Sequence, residues 1–510
     1  MPAMDVDTAL STIGYGFGQV IIFMVSFFIY MYSVTESMTA GYLVVLTSCE
    51  FDTSHKEKTL LANSLLGGMV ASGLFIGFLA DRYGRKFVIR LALVGALSFS
   101  VISAFMPDLY SLSVLRMIVG TFLSAVASLQ VGFLGEFHAI KWRPITVAIC
   151  SQSQGLALIY CPLVAMAILP NNFNVDISSS YNLRVWRFLM MFFMIPGWLA
   201  LVGICLVPET PHFLMSVNKP DKALLALKWI CRMNRKKWED VDITLSAETS
   251  SSTDQGGFWK TVWYEYKLLF SKPHVFKFFI CLFLIFGIFF TSIGLGIWFP
   301  VIRNMDNSGS NRLCDLVNNN PTFTNREGDD TNSTDSESSN CNDEMTNLID
   351  PVFYGLTYIA CFILASVLVH CITRKYVIAL HILIAMVLGI SLNIMKQSTV
   401  VLIFFVLMMV LPGVLIPLAT SVLVDCLPVN LRGKALCMVR SLARFGGVLG
   451  STMIGLFIRV TCDVTFNIFN LCLASKYRSG PPSRMFAFLR PLLSAVCVVL
   501  AVFQPKDIVT

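Results

Sequence analysis

The chain has 510 residues, 55% of them hydrophobic and only 14% charged, against about 25% charged in a soluble globular protein. Its net charge of +7 sits mostly in short basic segments between apolar runs, which orients a membrane protein and argues against a nucleic-acid partner. The apolar residues fall in blocks of about 20 or more, the length that crosses a hydrocarbon core of ~30 Å, so the partner that composition implies is the lipid bilayer.

The opening residues carry Asp5 and Asp7 and no Lys or Arg, so they lack the basic start of a signal peptide. The apolar blocks predict spans over 17–45, 58–80, 87–106, 109–134, 144–169 and 186–207. After a polar stretch come 275–300, 351–371, 376–395, 398–425 and 435–460, with a final span starting near 464. Each must be helical, because backbone polar groups in the bilayer can pair only within the segment. Pro162, Pro412 and Pro417 are expected to kink the helices that hold them.

The hinges Asp81–Lys86, Glu136–Arg143, Arg374–Lys375 and Arg432–Lys434 are basic or mixed and all fall on one side, which the positive-inside rule makes cytosolic. The expected organisation is a cytosolic N-terminus at 1–16, a six-helix half at 17–207 and a cytosolic linker at 208–272. A second half follows at 273–503, then a cytosolic end at 504–510. In the linker, Pro220–Trp238 reads as an amphipathic helix lying under the bundle, with Leu224, Leu227 and Ile230 on one face. The opposite side carries 301–350, rich in Asn, Ser, Thr, Asp and Glu and expected to be largely disordered. It holds the glycosylation sequon at Asn332. It also holds Cys314 and Cys341, a candidate disulfide on an oxidising face, with two unpaired thiols as the alternative. Most of the 15 cysteines lie inside spans as small apolar residues. No CxxC pair and no metal-ligand spacing is seen, so no cofactor is expected beyond a coupling proton or cation.

The chain also repeats itself. Glu136 and Arg143 are spaced as Asp425 and Arg432 are, at an offset of 289 residues. The same offset carries Arg85-Lys86 onto Arg374-Lys375, and Asp81 onto His370. Two hinges registering at one offset imply duplicated six-helix halves, although His370 in place of Asp81 makes them inequivalent.

The stretch Gly77–Lys86, GFLADRYGRK, joins two apolar blocks. Gly77 lets two helices approach and Gly84 permits a tight turn. Asp81 can face the positive N-terminus of a neighbouring helix, and Arg85 can pair with acids of adjacent hinges. A purely topogenic basic hinge is the plainer reading. The pattern closely resembles the loop between the second and third spans of major facilitator superfamily transporters. Glu136…Arg143, Pro208-Glu209-Thr210-Pro211 and Asp425…Pro428…Arg432 resemble signatures of the sugar-porter and organic-ion-transporter branches. Gly14–Gln19, Glu36 and the run from Arg440 to Gly446 resemble the synaptic vesicle glycoprotein 2 family and its related-protein cousins. The resemblance implies an all-α membrane protein: a twelve-helix major facilitator fold of two pseudo-symmetric halves that works by alternating access. It implies gating roles for Gly77, Asp81, Arg82, Gly84, Arg85, Glu136, Arg143, Glu209, Arg374, Asp425, Arg432 and Arg444.

Three features depart from the family. His212 stands where an Arg is usual, which puts that cytosolic ion pair in doubt. The loop 301–350 is polar where the synaptic vesicle glycoproteins carry a much larger folded luminal domain. At the end, 464–475 and 491–503 are each too short to span, and the segment 476–490 between them reads as an insertion that interrupts the last helix.

Inside the bundle, ionisable side chains cost about 2.5–3.5 kcal/mol at a helix centre and usually face a cavity or a partner. Glu36 lies two-thirds along the first span. Arg116, in Arg116–Gly120, resembles the superfamily's second motif, tied in relatives to proton coupling or to the substrate site. Glu36 is a candidate for binding a cation or a proton; the alternative is that the two only satisfy one another. Gln152, Gln154, Trp298, Tyr354 and Tyr358 suit a polar, partly flat or sugar-like molecule, against ordinary packing or an interfacial aromatic belt.

Together these residues predict a monomeric secondary active or facilitative transporter of a small organic solute, in the plasma membrane or an intracellular vesicle membrane. The alternative is a non-transporting vesicle protein acting through protein interactions. No Walker-type phosphate loop and no nucleophile–base constellation is visible, so an enzyme is not expected.

Overall fold

A computed structural model describes residues 5–48, 50–51, 53–171, 175–178, 181–236, 238, 267, 270, 274–304, 314, 345, 347–395, 397–426, 429–458, 462 and 465–470. Asn332, Cys341 and the segment 476–490 lie outside these residues. Of Asp425 and Arg432 only the backbone is described.

The first half opens with a short helix α1 (Val6–Ile13) and continues with α2 (Phe17–Leu46), α3 (His55–Tyr83), α4 (Arg85–Ala104) and α5 (Leu109–Gly135). Its fifth span is split into α6 (Arg143–Ser151) and α7 (Ser153–Ile168), and its sixth into α8 (Val185–Phe193) and α9 (Ile195–Leu206). Two short strands, Val175–Ser178 and Tyr181–Leu183, pair antiparallel between those spans. Two short helices follow, α10 (Pro211–Ser216) and α11 (Pro220–Met233). The second half contains α12 (His274–Asn304), α13 (Ile349–Cys371), α14 (Arg374–Ser391), α15 (Ser398–Gly413), α16 (Ile416–Cys426) and α17 (Val429–Phe457). Residues 465–470 are helical again. Among the described residues, nine helical stretches are long and apolar enough to cross a membrane.

Helix ends follow local chemistry. Ser54 caps α3 reciprocally: its hydroxyl accepts from the Glu57 N–H, and its own N–H donates to the Glu57 carboxylate at 2.8 Å. Asp108 caps α5 by accepting from the Ser111 N–H at 2.8 Å, and these bonds hold its carboxyl below the usual range. The breaks fall only partly where proline predicts them. The fifth span breaks at Gln152 while α7 runs on through Pro162. In the tenth span Pro412 precedes the break, and Pro417 sits at the start of α16, where its missing N–H is not needed.

The internal repeat is visible in the elements. Helices α4 and α14 begin at residues 85 and 374, and α5 and α15 at 109 and 398, both pairs 289 apart. The halves meet through α3 against α17, α7 against α13 and α2 against α12. Small residues permit the approach. A Cβ at Gly155 would come within 2.4 Å of Ile359, and one at Gly355 within 2.6 Å of Ile159, a reciprocal contact across the pseudo-twofold axis.

At the same end of the bundle as the Asp81–Lys86 hinge, α1 buries Val6, Ala9, Leu10 and Ile13, packing against α11. The sequence reading contained no such helix. Helix α11 buries Ala223, Ala226, Leu227 and Ile230, and Leu224 is half-buried. It stops at Met233, short of the expected Trp238, because Asn234 caps it and Arg235 turns left-handed at φ 55°.

The disulfide expectation is corrected. Cys314 bonds Cys462, with Cα atoms 5.6 Å apart, and not Cys341. It therefore ties the extracytosolic loop to the segment just beyond α17.

Candidate functional site

The cytosolic hinge is a dense polar network. Arg85 forms an ion pair with Glu136 and stands 3.8 Å from Asp81, which lies on α3 across the Gly84 turn. Glu209 reaches across from the end of the sixth span and accepts from the Lys86 N–H at 2.9 Å and the Phe87 N–H at 3.3 Å. A carboxylate thus caps the positive N-terminus of α4. Gly84 makes room for it: its φ is 99°, and a Cβ there would lie 2.6 Å from the Glu209 carboxylate. Arg82 lies over the Tyr83 ring at 5.8 Å, and Gly77 is buried one turn before Asp81.

Arg143 closes the C-terminal end of α5. Its Nε donates to the carbonyls of Gly135 and His138, each at 2.8 Å, and its Nη2 pairs with Asp7. Asp7 also lies 3.2 Å from His212. Helix α1 therefore supplies an acid that serves both Arg143 and His212, and the departure at His212 is matched by a partner from the N-terminal helix. Burial pushes His212 below its ordinary pKa; Asp7 opposes that shift and Arg143 adds to it. Burial lowers His138 likewise, and Tyr15 packs against its ring at 5.7 Å. In the second half Arg374 donates to Ser421 at 3.5 Å.

Glu36 and Arg116 are brought together. They are 1% and 2% exposed and form an ion pair between α2 and α5. The Ser100 hydroxyl donates to the same Glu36 oxygen, and Arg116 donates to the Ser103 hydroxyl at 2.7 Å.

A second polar group sits near the middle of the bundle, where the halves meet. The Tyr30 hydroxyl donates to Gln154 at 2.9 Å. Arg444, on α17, donates to the hydroxyls of Ser124 at 2.9 Å and Ser128 at 3.3 Å on α5. Arg440 donates to the Ala127 carbonyl at 3.2 Å. The Tyr358 hydroxyl donates to the Gly413 carbonyl at 3.4 Å, and its ring lies 3.4 Å from where a Cβ on Gly155 would be. Gln152 marks the break of the fifth span, and its side-chain amide oxygen is buried without a partner. Trp298 stands apart from this group, whereas Tyr354 lies one turn before Tyr358 on α13 and interacts with it electrostatically. Trp298 donates to Ser451 at 2.9 Å within the second half, and Tyr354 packs on Phe299 at 5.3 Å.

Two clusters escaped the sequence reading. On the extracytosolic side Glu50 accepts from Trp186 at 2.6 Å and pairs with Arg187, which also donates to the carbonyls of Ala104 and Met106. In the second half Arg303 pairs with Asp350 at 2.6 Å. The first was signalled only by an arginine beginning the sixth span next to a tryptophan; nothing adjacent in sequence pointed to Glu50.

A family profile described as "Sugar (and other) transporter" matches residues 12–301. The chain belongs to that family. Among curated proteins, human "Synaptic vesicle glycoprotein 2B" is 24% identical over 324 residues, covering 58% of this chain and 47% of that protein. "Putative transporter svop-1" of Caenorhabditis elegans is 24% identical over 248 residues, covering 49% of this chain and 45% of that protein. The chain thus spans less than half the length of these relatives. Among solved structures, the partially occluded inward-open xylose transporter XylE of Escherichia coli aligns over 91% of this chain and all of its own, with TM-score 0.62 at 16% identity. The inward-open form aligns over 91% of this chain and 97% of its own, also with TM-score 0.62. These alignments establish the major facilitator fold. Family and fold make the chain a multi-pass membrane protein with two pseudo-symmetric helical halves.

Proposed function

We propose that this chain is a secondary active or facilitative transporter of a small organic solute, working by alternating access as a monomer and not as an enzyme. One observation carries the reading. A polar group of Tyr30, Gln154, Arg440 and Arg444 lies midway along helices of both halves, where α3 and α17 meet across the interface. Toward the outside Asn63 donates to Thr452 at 3.1 Å; toward the cytosol Ser441 donates to the Val70 carbonyl at 2.8 Å. Alternating access would part these two contacts in turn.

The cytosolic hinge network supports a gating role for Arg85, Glu136, Arg143 and Glu209, since it ties helix ends that must separate when that side opens. Glu36 is the group we assign to proton or cation coupling, because it is buried, titratable and held by Arg116 and Ser100.

The test is uptake into proteoliposomes by an Asn63→Cys, Thr452→Cys pair. Oxidative cross-linking of the outer contact should arrest uptake, and reduction should restore it. Uptake unaffected by a complete cross-link would overturn alternating access. Uptake absent from the uncross-linked protein would favour a vesicle membrane protein acting through protein interactions.

A further inference from the structure

We infer that the transported solute is an organic anion, and that Arg440 and Arg444 hold its charged group. This deepens the transport reading and rests on it. The two arginines lie one helical turn apart near the middle of α17. They are 9% and 5% exposed, so both are removed from bulk water. A buried charge normally keeps a counter-charge beside it. Every other well-buried arginine described above has one: Arg116 has Glu36, Arg187 has Glu50 and Arg303 has Asp350. Among the described residues no carboxylate pairs with Arg440 or Arg444. Their partners are the neutral Ala127 carbonyl and the hydroxyls of Ser124 and Ser128.

Neutral acceptors satisfy donors but leave the charge. A guanidinium offers five N–H donors in a planar fork that matches a carboxylate, sulfonate or phosphate group. Only part of each fork is used here. The spare nitrogens of Arg440 and Arg444 are not among the sealed, unpartnered atoms of the interior, whereas the Nε atoms of Arg116 and Arg187 are. Their unused donors are therefore not sealed away from solvent-accessible surface.

The two guanidinium groups are close enough to the rest of the midway group to interact with it. Both guanidinium groups act electrostatically on the Tyr30 hydroxyl, and Tyr30 acts on Tyr358. Tyr30 and Gln154 are half-buried although they lie mid-helix. An anion there would exchange the serine hydroxyls for its own oxygens, and its organic body would meet the faces of Tyr30 and Tyr358. Because Arg444 binds α5 across the interface, replacing that bond by a ligand also loosens one half from the other. Binding and rocking are linked at the same side chain.

The experiment uses full-length protein in proteoliposomes given an equimolar mixture of carboxylates, sulfonates, phosphate monoesters, neutral sugars and organic cations. Luminal contents are read by mass spectrometry. Accumulation restricted to the anions is expected. Arg444→Gln should lower it by about 10- to 100-fold, the value of a charge-assisted hydrogen bond, chiefly through KM, and Arg444→Lys should retain part of it. Accumulation of neutral or cationic solutes overturns the anion assignment and leaves transport standing. An equal loss of every class in Arg444→Gln makes that arginine a gate alone, and also overturns it. No accumulation of any class removes the transport reading and this inference with it. Gel filtration checks that the variant is folded; should it not fold, the selectivity of the wild type still decides.

Discussion

Gly84→Ala is the sharpest single perturbation of the cytosolic hinge. Two costs add. At φ 99° and ψ 147° an L side chain is strained, at roughly 1–3 kcal/mol. The new Cβ would also sit 2.6 Å from a Glu209 carboxylate oxygen and 2.9 Å from the Phe213 ring. The carboxylate must shift, and the longer of its two bonds to the start of α4, at Phe87, goes first. A hydrogen bond to a charged group is worth about 1.5–3 kcal/mol. The sum is about 2.5–6 kcal/mol, readable as unfolding free energy in mixed SDS–detergent micelles. The structure also fixes how the cost divides. In a Glu209→Ala background the carboxylate is already gone, so Gly84→Ala should cost only its backbone strain, and the two changes should be non-additive by at least ~1 kcal/mol. A Gly84→Ala cost within ~0.5 kcal/mol of zero, the range of an ordinary surface change, or strict additivity with Glu209→Ala, would refute the account.

Three further outcomes are expected. Glu36→Gln leaves Arg116 buried without its counter-charge and should cost about 3–5 kcal/mol, most of it recovered in the Glu36→Gln, Arg116→Gln double variant; transport by Glu36→Gln should lose its pH dependence, and an unchanged pH profile would remove Glu36 from coupling. Without reductant, Cys462→Ser should expose one new thiol to an impermeant maleimide, at Cys314, whereas Cys341→Ser should leave Cys314 unreactive. Folding stability should fall on acidification: His212 and His138 both have folded pKa values below the ordinary ~6.5, so protons bind preferentially to the unfolded chain. Stability should be unchanged above that pH and drop as pH falls below it, and an unfolding free energy in mixed micelles that stays flat from about pH 7.5 to 5 would contradict this.

The spans were legible because the bilayer imposes one strong rule on composition. Helix edges at 17, 85, 109, 349 and 374 fall within two residues of those read from apolar runs. The repeat was legible because charge is rare enough here for two hinges at one offset to be informative. What was hidden depended on distant partners. Eight residues of α1 carry too little periodicity to announce a helix, and its ligands Asn234 and Lys236 lie more than 200 residues away. Disulfide pairing cannot be read from cysteine positions, so Cys314 drew the nearer candidate. Arg440 was noticed only as part of a motif, and Arg444 only as a gate. Both carry a missing counter-ion as their signal, and that shows only once every neighbour is in place.

The N-terminal helix also sets an order of events during synthesis. The Gly18 N–H donates to Asn234, 216 residues later, at 2.8 Å, and Lys236 caps the Ile13 carbonyl at 2.7 Å. At ~5–20 residues per second, the first helix leaves the ribosome roughly ten to forty seconds before its docking site exists. Asp7 therefore reaches Arg143 and His212 only after the whole first half has been inserted, and a finished cytosolic face reports that six spans are already in place.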